Sequence, residues 1–455
     1  MRSTALLTDR YELTMLDAAL ADGTARRPSV FETFARDLPA SRRYGVVAGL
    51  GRLVEAIESF AFGDDELAYL DDHGLVSPAT LTWLGDYEFT GEVVAYREGE
   101  VYVPGSPVLT VVAPFGEAVL LETLVLSVLN HDSAIASAAA RMVVAAGGRD
   151  LLEFGGRRTH EEAAVAAARA AYVVGFSGTS NLEAGRRYGI PTTGTSAHAY
   201  TLVHDDETAA FRGQVAALGP GTILLVDTYD IAAGLDHALA AAGPDLGGVR
   251  IDSGDLVQET RRAREVLDAA GAHDAKIVLS GDLDEFAIAD LRDVPADAYG
   301  VGTSVVTGSG APTAGFVYKL VARARGPAAF EDVAKAGGSK ATVGGRKAAA
   351  RERASGVAVA EILYPWGTPA PPGTRPLQVQ VISDGEVTHR PSLDEVRAHH
   401  AAVMAELPGA ALDVSPGDVC LPTVTHAGPP AASSPPAGSP ALDGGHDRTH
   451  EEALP

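Results

Sequence analysis

The sequence predicts an α/β protein in which an irregular parallel β/α barrel accompanies an α+β domain built from both chain ends. From residue 150 onward, a unit of apolar strand, polar turn and helix recurs seven times. Such recurrence is typical of a parallel sheet whose turns gather at one edge. On either side of this series, at 92–112 and 357–382, short valine-rich runs are interrupted by glycine and proline, as in antiparallel segments.

The domain limits follow from these changes of pattern. We assign 1–116 and 357–425 to a split α+β domain, 117–356 to the barrel with a linker, and 426–455 to a disordered tail. Residues 323–356 are basic and rich in glycine, which indicates a loop or linker. The tail has low complexity and no hydrophobic pattern. An open doubly wound sheet could hold the same strands, but polar turns on so many consecutive strands favour a barrel, where all of them face one mouth.

The segments outside the repeated unit are mainly helical. Thr8 or Asp9 is expected to cap a helix that begins near Tyr11. Residues 52–72 have apolar residues at helical spacing, and 117–146 are expected to form one or two long apolar helices. Near the end, 391–407 is expected to form a helix that Ser392 caps.

The stretch 153–200 carries the densest candidate chemistry. Three apolar runs, the second of them Tyr172–Val174, each end in a small, glycine-rich turn: 155–158, 175–180 and 194–198. Between the first two turns, an alanine-rich run predicts a helix over 161–171, with Thr159 as its cap and Glu162 completing a capping box. Glycines let backbone N–H groups approach a ligand, and hydroxyls add donors, so the three turns together indicate phosphate binding.

Carboxylates follow the later strands of the series at 227, 230, 252, 255 and 282. At a barrel mouth such groups can hold Mg²⁺, bind ribose hydroxyls or stabilise a positive sugar centre. Each aspartate could also be a simple helix cap, and Asp230 and Asp255 fit that role. Asp252 and Asp282 are the better candidates because each directly follows its strand.

Two further features belong to this predicted mouth. Residues 300–304 form a compact run of glycine and hydroxyl residues on the seventh strand, a position where barrels commonly bind phosphate. His198 follows the third turn and could act as a base, an acid, a metal ligand or a phosphoryl acceptor.

Charge and composition limit the partners. The 455 residues include 36 Lys and Arg against 60 Asp and Glu, a formal net charge of −24, which argues against nucleic-acid or membrane-surface binding. A local cluster can still bind a small anion, and the candidates are Arg157, Arg158, Arg186 and Arg187, although the second pair could be a solvated helix face.

The expected compartment is the cytoplasm. Cys420 is the single cysteine, so no disulfide can form within the chain, and a reducing environment fits. The first residues lack a signal-peptide core, and no uninterrupted apolar run is long enough to cross a bilayer.

A set of short motifs is shared with a known family. In order, they are T-D-x-Y-E-L-T-M at 8–15, E-F-G-x-R-R at 153–158, G-F-x-G-T-S-N at 175–181, G-T-x-A-H at 194–198, L-V-D-T-Y-D at 225–230, V-R-I-D-S-G-D at 249–255, S-G-D-L-D-E at 280–285 and Y-G-V-G-T at 299–303. With these motifs the chain resembles the nicotinate phosphoribosyltransferases, a type II phosphoribosyltransferase family. The resemblance spans nearly all of the sequence before residue 426.

The resemblance implies a fold and a reaction. The fold is a split α/β domain with an irregular α/β barrel, and the assembly is a homodimer with shared active sites. The reaction joins nicotinate to 5-phosphoribosyl 1-diphosphate, giving nicotinate mononucleotide and diphosphate for NAD salvage. ATP hydrolysis is coupled through a transient phosphohistidine, so the enzyme is of ligase type, with Mg²⁺ and ATP as cofactor and co-substrate.

The resemblance also implies roles for individual residues. His198 would carry the phosphohistidine, and Asp227 and Asp252 would be the other catalytic residues. Tyr11 would stack on the pyridine ring from the partner subunit, opposite Phe154. The other implied substrate contacts are nicotinate for Thr195 and Arg250, the 5′-phosphate for Gly302 and Thr303, the ribose and diphosphate for Asp252, Gly281 and Asp282, and anionic groups for Arg157. Ser253 is a further expected substrate-binding residue.

One position helps to choose the pyridine. In related nicotinamide-using enzymes an acidic residue follows the Gly-Thr pair, where it can accept from the amide. Here that residue is Ser180, which can donate to a carboxylate that an aspartate would repel. Nicotinate is therefore favoured. The alternatives are a nicotinamide enzyme, a decarboxylating quinolinate enzyme, and a catalytically silent barrel that senses pyridines or phosphate.

Overall fold

The computed structural model describes residues 3–39, 42–326, 329–335 and 342–426. Apart from His426, the tail predicted at 426–455 lies outside the described residues. The α-helices are α1 Arg10–Asp22, α2 Leu50–Glu58, α3 Asp64–Asp72, α4 Pro78–Gly85, α5 Phe115–Val119, α6 Glu122–Ala146, α7 Glu161–Val173, α8 Leu182–Tyr188, α9 His198–Leu202, α10 Glu207–Leu218, α11 Ile231–Ala242, α12 Leu256–Ala269, α13 Glu285–Asp290, α14 Thr303–Val306 and α15 Leu393–Glu406.

The strands form parallel and antiparallel sheets. They are β1 Pro28–Ala35, β2 Gly45–Val46, β3 Glu92–Tyr96, β4 Val101–Tyr102, β5 Leu109–Pro114, β6 Asp150–Glu153, β7 Gly178–Thr179, β8 Ile223–Leu225, β9 Gly248–Ile251, β10 Lys276–Leu279, β11 Ala298–Val301, β12 Phe316–Gly326, β13 Ala329–Asp332, β14 Lys347–Ala354, β15 Val357–Pro365, β16 Arg375–Pro376, β17 Gln378–Ser383, β18 Glu386–Val387 and β19 Thr423–Thr425.

The parallel sheet has the order β7-β6-β11-β10-β9-β8. All of its strand pairs are parallel, and Thr179 adds a parallel bridge to Thr192. The predicted α/β class is therefore confirmed. Among the described residues no backbone pairing joins β8 to the opposite end of this ladder, which makes the arrangement irregular. The helices after these strands pack their buried faces on the sheet and form one apolar core with it.

The start of the sheet differs from the prediction in two ways. The run Tyr172–Val174 is not a strand, because α7 continues to Val173. The strand lies farther on, at Gly178 and Thr179, and both of its residues are buried. The cap of α7 is His160, whose side chain accepts from the backbone N–H of Glu162 at 3.3 Å, and not Thr159.

A seven-stranded antiparallel sheet, β13-β12-β1-β5-β3-β17-β18, forms the other main layer, and a four-stranded sheet, β16-β14-β15-β19, accompanies it. The larger sheet draws strands from 1–116 and 357–425, and also from 316–332. The linker predicted at 323–356 is wrong, since β13, β14 and the end of β12 lie there. The basic residues of this stretch have partners within the fold: Arg323 contacts Glu331 and Lys347 contacts Glu32, each at 2.7 Å.

Helix α6 is the long element between the two main sheets. By length and composition alone, Phe115–Ala146 could cross a membrane, contrary to the sequence prediction, but 67% of its most apolar window is buried inside the fold. Its polar side chains are used internally. Ser137 and Ser133 accept from the backbone N–H groups of Val46 and Ala48 at 2.9 and 3.0 Å. Arg141 pairs with buried Glu285 at 3.0 Å. These are the contacts of a core helix.

The remaining helix predictions are close to the structure. Asp9 is the first residue before α1, although its side chain does not cap the helix. The predicted helix at 52–72 is two helices, α2 and α3. Ser392 caps α15 as predicted, and Glu395 completes a capping box with it.

Candidate active site

A cavity of about 550 Å³ opens at the carboxyl ends of the parallel strands. It is lined by Phe154, Gly156, Arg157, Ser180, Asn181, Leu182, Gly194, Thr195, Ser196, Ala197, Arg250, Asp252 and Ser280. Six of these are residues for which the sequence predicted a role: Phe154, Arg157, Ser180, Thr195, Arg250 and Asp252. A second cavity of the same volume, beside Trp366, contains none of the predicted site residues.

Phe154 forms an aromatic wall of this cavity. Its backbone N–H donates to the carbonyl of Val301 at 2.8 Å, which fixes the start of the 155–158 turn beside β11. Its ring lies against Gly300, where an added Cβ would stand 2.4 Å from a ring carbon. Any side chain at 300 would therefore overlap this ring, so the glycine leaves room for Phe154 in the cavity wall.

Glu153 is hydrogen-bonded to both the 155–158 turn and the 175–180 turn, which lie next to Phe154. The carboxylate is fully buried, and it accepts from the Gly155 N–H and from the Thr179 hydroxyl. Its backbone carbonyl accepts from the Ser180 N–H at 2.9 Å. Burial raises the pKa of Glu153 because the charged form is desolvated. This residue was not predicted from the sequence, and it fixes the position of Ser180.

Two arginines place positive charge in the cavity. The guanidinium of Arg250 donates to the Thr195 hydroxyl at 2.7 Å, while its buried Nε has no hydrogen-bond partner. Burial lowers the pKa of Arg250, and the charge of nearby Arg157 lowers it further. Arg157 is exposed, and no carboxylate of the described residues forms an ion pair with it. Both cations are therefore available to an anionic ligand.

The second arginine pair of the predicted cluster has another role. Arg186 pairs with Glu183, and Arg187 pairs with Glu183 and Glu162, at 2.5 to 2.8 Å. These contacts lie on the exposed face of α8 and on its neighbour α7. The alternative interpretation of this pair as a solvated helix face is confirmed.

Asp227 and Asp252 are linked through hydrogen bonds at the ends of β8 and β9. Asp227 Oδ2 accepts from the backbone N–H of Asp252 at 3.0 Å and from the Ser253 hydroxyl at 2.6 Å. Asp252 Oδ1 in turn accepts from the Ser280 hydroxyl at 2.5 Å. These contacts therefore link the ends of three neighbouring strands, and two of the linked residues, Asp252 and Ser280, line the cavity.

His198 lies beside Asp227, at the first residue of α9. Its Nε2 is 4.0 Å from Asp227 Oδ1, a buried oxygen that has no hydrogen-bond partner. Its Nδ1 is 3.1 Å from the hydroxyl of Thr228. The imidazole thus contacts two consecutive residues, Asp227 and Thr228, of the turn after β8, and 41% of its side chain remains exposed.

Gly281 and Asp282 turn sharply after β10. Both have positive φ, +106° and +48° respectively. A Cβ on Gly281 would lie 2.3 Å from the backbone oxygen of Asp252. Neither residue lines the cavity, but the turn that they form packs directly against the backbone of Asp252.

Gly302 and Thr303 lie on the other side of the mouth. Gly302 precedes the single turn of α14, and Thr303 is its exposed first residue. An added Cβ on Gly155 would be 2.8 Å from the carbonyl oxygen of Gly302, so the two turns are in close contact. The structure therefore brings this turn beside the cavity wall formed by the 155–158 turn.

Tyr11 stands apart from the other predicted residues. It lies on α1, it is 46% exposed, and it does not line the cavity in this chain. Partial burial and nearby carboxylates, of which Glu122 has the largest effect, raise its pKa. Its predicted stacking role stays a prediction, since it requires a second subunit.

Asp230 and Asp255 are helix caps. Asp230 accepts from the backbone N–H of Ala233 at 2.9 Å. Asp255 accepts from those of Val257 and Gln258 at 3.1 Å. Both are therefore committed to the first turns of α11 and α12, which is the alternative that their sequence positions indicated.

The carboxylates present do not make a resident metal site. Within the described ranges no group of three or more His, Cys, Asp or Glu side chains is arranged to hold a metal ion. The two carboxylates predicted to be catalytic, Asp227 and Asp252, already accept hydrogen bonds from other groups of the protein. The residues that the structure describes therefore do not by themselves fit a bound Mg²⁺.

Comparison with known proteins agrees with this geometry. The family model described as the nicotinate phosphoribosyltransferase N-terminal domain matches residues 6–130, and the model of the nicotinate phosphoribosyltransferase family matches 150–288. A nicotinate phosphoribosyltransferase of Mycobacterium tuberculosis is 55% identical over 432 residues, covering 92% of this chain and 95% of the relative.

More distant relatives carry the same name. A nicotinate phosphoribosyltransferase of Bacillus subtilis is 39% identical over 329 residues, covering 70% of this chain and 67% of the relative. The crystal structure of the human nicotinic acid phosphoribosyltransferase superposes with a TM-score of 0.79 at 27% identity, covering 92% of this chain and 97% of that one. Together with the shared motifs and the residues gathered at the mouth of the parallel strands, these matches establish that the chain belongs to the nicotinate phosphoribosyltransferase family.

Proposed function

We propose that this protein joins nicotinate to 5-phosphoribosyl 1-diphosphate, giving nicotinate mononucleotide and diphosphate in NAD salvage. Membership of the family supports the reaction. The observation that carries its assignment to this cavity is the meeting of an aromatic wall, Phe154, with the cationic side chains of Arg157 and Arg250. A pyridine carboxylate needs a flat apolar surface and charged donors, and both are present here.

The donors favour a carboxylate over an amide on the ring. Arg250 and Thr195 form a hydrogen-bonded pair that lines the cavity, and Ser180 lines the same cavity. None of these three side chains is an anion that could accept from a carboxamide NH₂. Arg250 can instead donate two parallel hydrogen bonds to a carboxylate, which is the strongest neutralising contact that the cavity offers.

The chemistry is displacement at the first carbon of the ribose. The bond from this carbon to the diphosphate oxygen breaks, and the oxygen leaves with the electron pair while positive charge grows on the sugar. The carboxylate of Asp252 faces the cavity and stabilises that charge, and the guanidinium of Arg157 stabilises the leaving group. The nicotinate ring nitrogen then donates its lone pair to the carbon. That nitrogen carries no proton at neutral pH, so no general base is required.

We assign the phosphoryl role of the coupled ATP hydrolysis to His198. The imidazole is half exposed, so that a nucleotide can reach it, and the buried carboxylate of Asp227 lies near Nε2. This carboxylate can stabilise the positive charge that the ring acquires when it is phosphorylated. Magnesium is taken to enter with the diphosphate and ATP as part of those substrates, because the described side chains do not form a site of their own.

The working unit is proposed to be a cytoplasmic homodimer in which the partner subunit contributes its Tyr11 to the ring-binding cavity. Two observations support this. Tyr11 is exposed, as are Leu6 and Leu7 shortly before it in the sequence, and Phe154 is the one aromatic residue among those that line the cavity. A second aromatic ring would complete a sandwich around the pyridine.

Product analysis tests the proposal directly. The enzyme is incubated with the ribosyl diphosphate donor, ATP and either nicotinate, nicotinamide or quinolinate, and the nucleotides are identified by mass spectrometry. We expect nicotinate mononucleotide from nicotinate alone. The same product from quinolinate, with loss of carbon dioxide, or nicotinamide mononucleotide from nicotinamide at a comparable rate, would reassign the substrate. Binding without any nucleotide product would indicate a catalytically silent sensor.

A further inference from the structure

A buried carboxylate, that of Glu12, attaches the first turn of α1 to α6, and the proposed reaction does not use it. Glu12 directly follows Tyr11 in the sequence and is fully buried. Its Oε1 accepts from the backbone N–H of Thr123 at 2.9 Å and from the hydroxyl of the same residue. Its Oε2 accepts from the hydroxyl of Thr8. Directional hydrogen bonds of Glu12 therefore join α1 to the residue before it and to the start of α6.

The hydrogen bond to Thr123 also completes the first turn of α6. Thr123 is the second residue of this helix, so its N–H has no acceptor within the helix. Leu121, the residue before α6, provides no side-chain cap, and the Glu12 carboxylate takes that place. A carboxylate oxygen suits this position because the N-terminus of a helix carries partial positive charge. The two helices are thus fixed to each other at one defined point.

This attachment determines where Tyr11 lies. Consecutive side chains of an α-helix point about 100° apart, since one turn takes 3.6 residues. With Glu12 directed inward, Tyr11 lies at the edge of the helix, where it is 46% exposed. Leu13 and Leu16 are also buried on this side of α1, but apolar contacts are non-directional and would allow the helix to rotate. The hydrogen bonds of Glu12 therefore set the rotation of the turn that carries Tyr11.

We propose that Glu12 is a positioning residue that orients Tyr11 for the cavity of the partner subunit. This inference rests on the stacking role proposed above for the partner's Tyr11, and it adds the residue on which the orientation of that ring depends. Glu12 is not among the residues that line the cavity of its own chain. Its effect on nicotinate binding is therefore expected in the other subunit. A merely structural role would instead affect the cavity of the chain that carries the substitution.

Two substitutions of Glu12 separate its hydrogen bonds from its length. Glu12→Ala removes the hydrogen bonds, whereas in Glu12→Gln the amide oxygen can still accept from the Thr123 N–H and the NH₂ can donate to the Thr8 oxygen. We expect Glu12→Ala to raise KM for nicotinate about two- to tenfold, the effect of one stacking contact. The values of kcat and of KM for the ribosyl diphosphate donor should stay unchanged. Glu12→Gln should restore KM for nicotinate to that of the unaltered enzyme.

Asp17→Ala is the matched control. Asp17 lies on the same helix, and its carboxylate also accepts from one backbone N–H, that of Ser77 at 3.0 Å, and from one threonine hydroxyl, that of Thr80 at 2.5 Å. Its removal should lower the melting temperature, as Glu12→Ala does, but leave KM for nicotinate unchanged. An equal rise of KM in both variants would overturn the proposal.

Heterodimers decide in which subunit Glu12 acts. Two differently tagged chains are mixed and purified on both tags, and one chain of each pair carries Asp252→Asn so that only the other cavity works. Glu12→Ala in the working chain should give the KM of the unaltered enzyme, because that cavity receives its tyrosine from an intact α1. Glu12→Ala in the Asp252→Asn chain should give the raised KM. The opposite pattern would overturn the proposal.

The remaining outcomes separate this proposal from the stacking role on which it rests. If Tyr11→Ala raises KM for nicotinate and a folded Glu12→Ala does not, Glu12 does not position the ring, and the stacking role stands. If Tyr11→Ala leaves KM unchanged, stacking and positioning are both wrong, while the formation of nicotinate mononucleotide is unaffected. If Glu12→Ala does not fold, Thr123→Val replaces it, because this variant removes one donor and keeps the shape of the side chain. KM should then rise in the same direction, and an unchanged KM would contradict the proposal.

Discussion

Gly281 offers a sharp test of how the fold holds Asp252 in the cavity. At this position φ is +106°, and a Cβ would lie 2.3 Å from the Asp252 backbone oxygen. In Gly281→Ala the backbone conformation costs about 1–2 kcal/mol. Because the neighbour is backbone, Asp252 must shift by about an ångström to relieve the overlap, and overpacking of this kind costs about 1–3 kcal/mol. The expected loss of stability is therefore roughly 2–5 kcal/mol.

Gly271→Ala is the matched control. Gly271 also has a positive φ, +80°, but nothing lies within 4 Å of an added Cβ. It should therefore lose only the backbone part, about 1–2 kcal/mol. The free energy of unfolding is compared for the two variants in guanidinium, followed by circular dichroism. The difference between them isolates the contact with Asp252.

The activity of the same two variants completes the test. A displacement of about an ångström at a group that faces the reacting sugar can cost about a hundredfold in rate. We expect that loss in kcat/KM for Gly281→Ala, and an unchanged kcat/KM for Gly271→Ala. Equal losses of stability in both variants, with full activity in Gly281→Ala, would refute the reasoning that this glycine sets the position of Asp252.

Three further predictions concern other parts of the site. His198→Ala should abolish ATP hydrolysis and its stimulation of transfer, measured with labelled ATP, while a slow ATP-independent transfer remains; proportional loss with and without ATP would contradict this. Tyr11→Ala should raise KM for nicotinate through the loss of a stacking contact of about 0.5–1.5 kcal/mol, and mixing it with an inactive Asp252→Asn subunit should restore activity; no recovery in exchanged dimers would place each site within one chain. Burial raises the pKa of Glu153 above its usual 4.5, so unfolding releases its proton, and the fold loses stability as pH rises from 4.5 to the pKa of the folded state. Glu153→Gln should flatten this part of the plot of unfolding free energy against pH. An unchanged slope in that variant would contradict the prediction.

The later half of the parallel sheet was readily predicted from the sequence. At 223–301, each strand is a short, mainly apolar run, and an aspartate caps the helix that follows each of the first three, so local pattern and final structure agree. The strand at Gly178–Thr179 was missed because two small residues carry no hydrophobic pattern. It is recognised as a strand only through its pairing with Leu152 and Glu153. The apolar Tyr172–Val174 run was misinterpreted because valine suits the end of a buried helix as well as a strand.

The difference between elements with a clear local pattern and elements that depend on distant partners is also seen in β14 and in the site. Residues 348–350 are three alanines before an arginine, a composition without strand preference, yet all are buried in the sheet. Arg351 is buried as well, because Glu361 on the neighbouring strand lies 3.3 Å away. In the site, the residues to which the shared motifs give a role were identified from the sequence. The contacts of Glu153 and Thr228 were missed, because their partners are distant in the sequence and only the folded chain brings them together.

The strand order of the antiparallel sheet has a consequence for synthesis on the ribosome. β1 lies between β5 and β12, and β3 lies between β5 and β17. One edge of β1 therefore stays unpaired until β12 has been synthesised, and one edge of β3 stays unpaired until β17 has been synthesised. Each of these partners lies about 280 residues later in the chain. At about 5–20 residues per second these edges stay open for roughly a quarter of a minute to a minute. During that time the nascent chain exposes unpaired strands that can join those of neighbouring chains. Chains that terminate after β11 would keep both edges permanently open and should depend most on chaperones that bind nascent polypeptides.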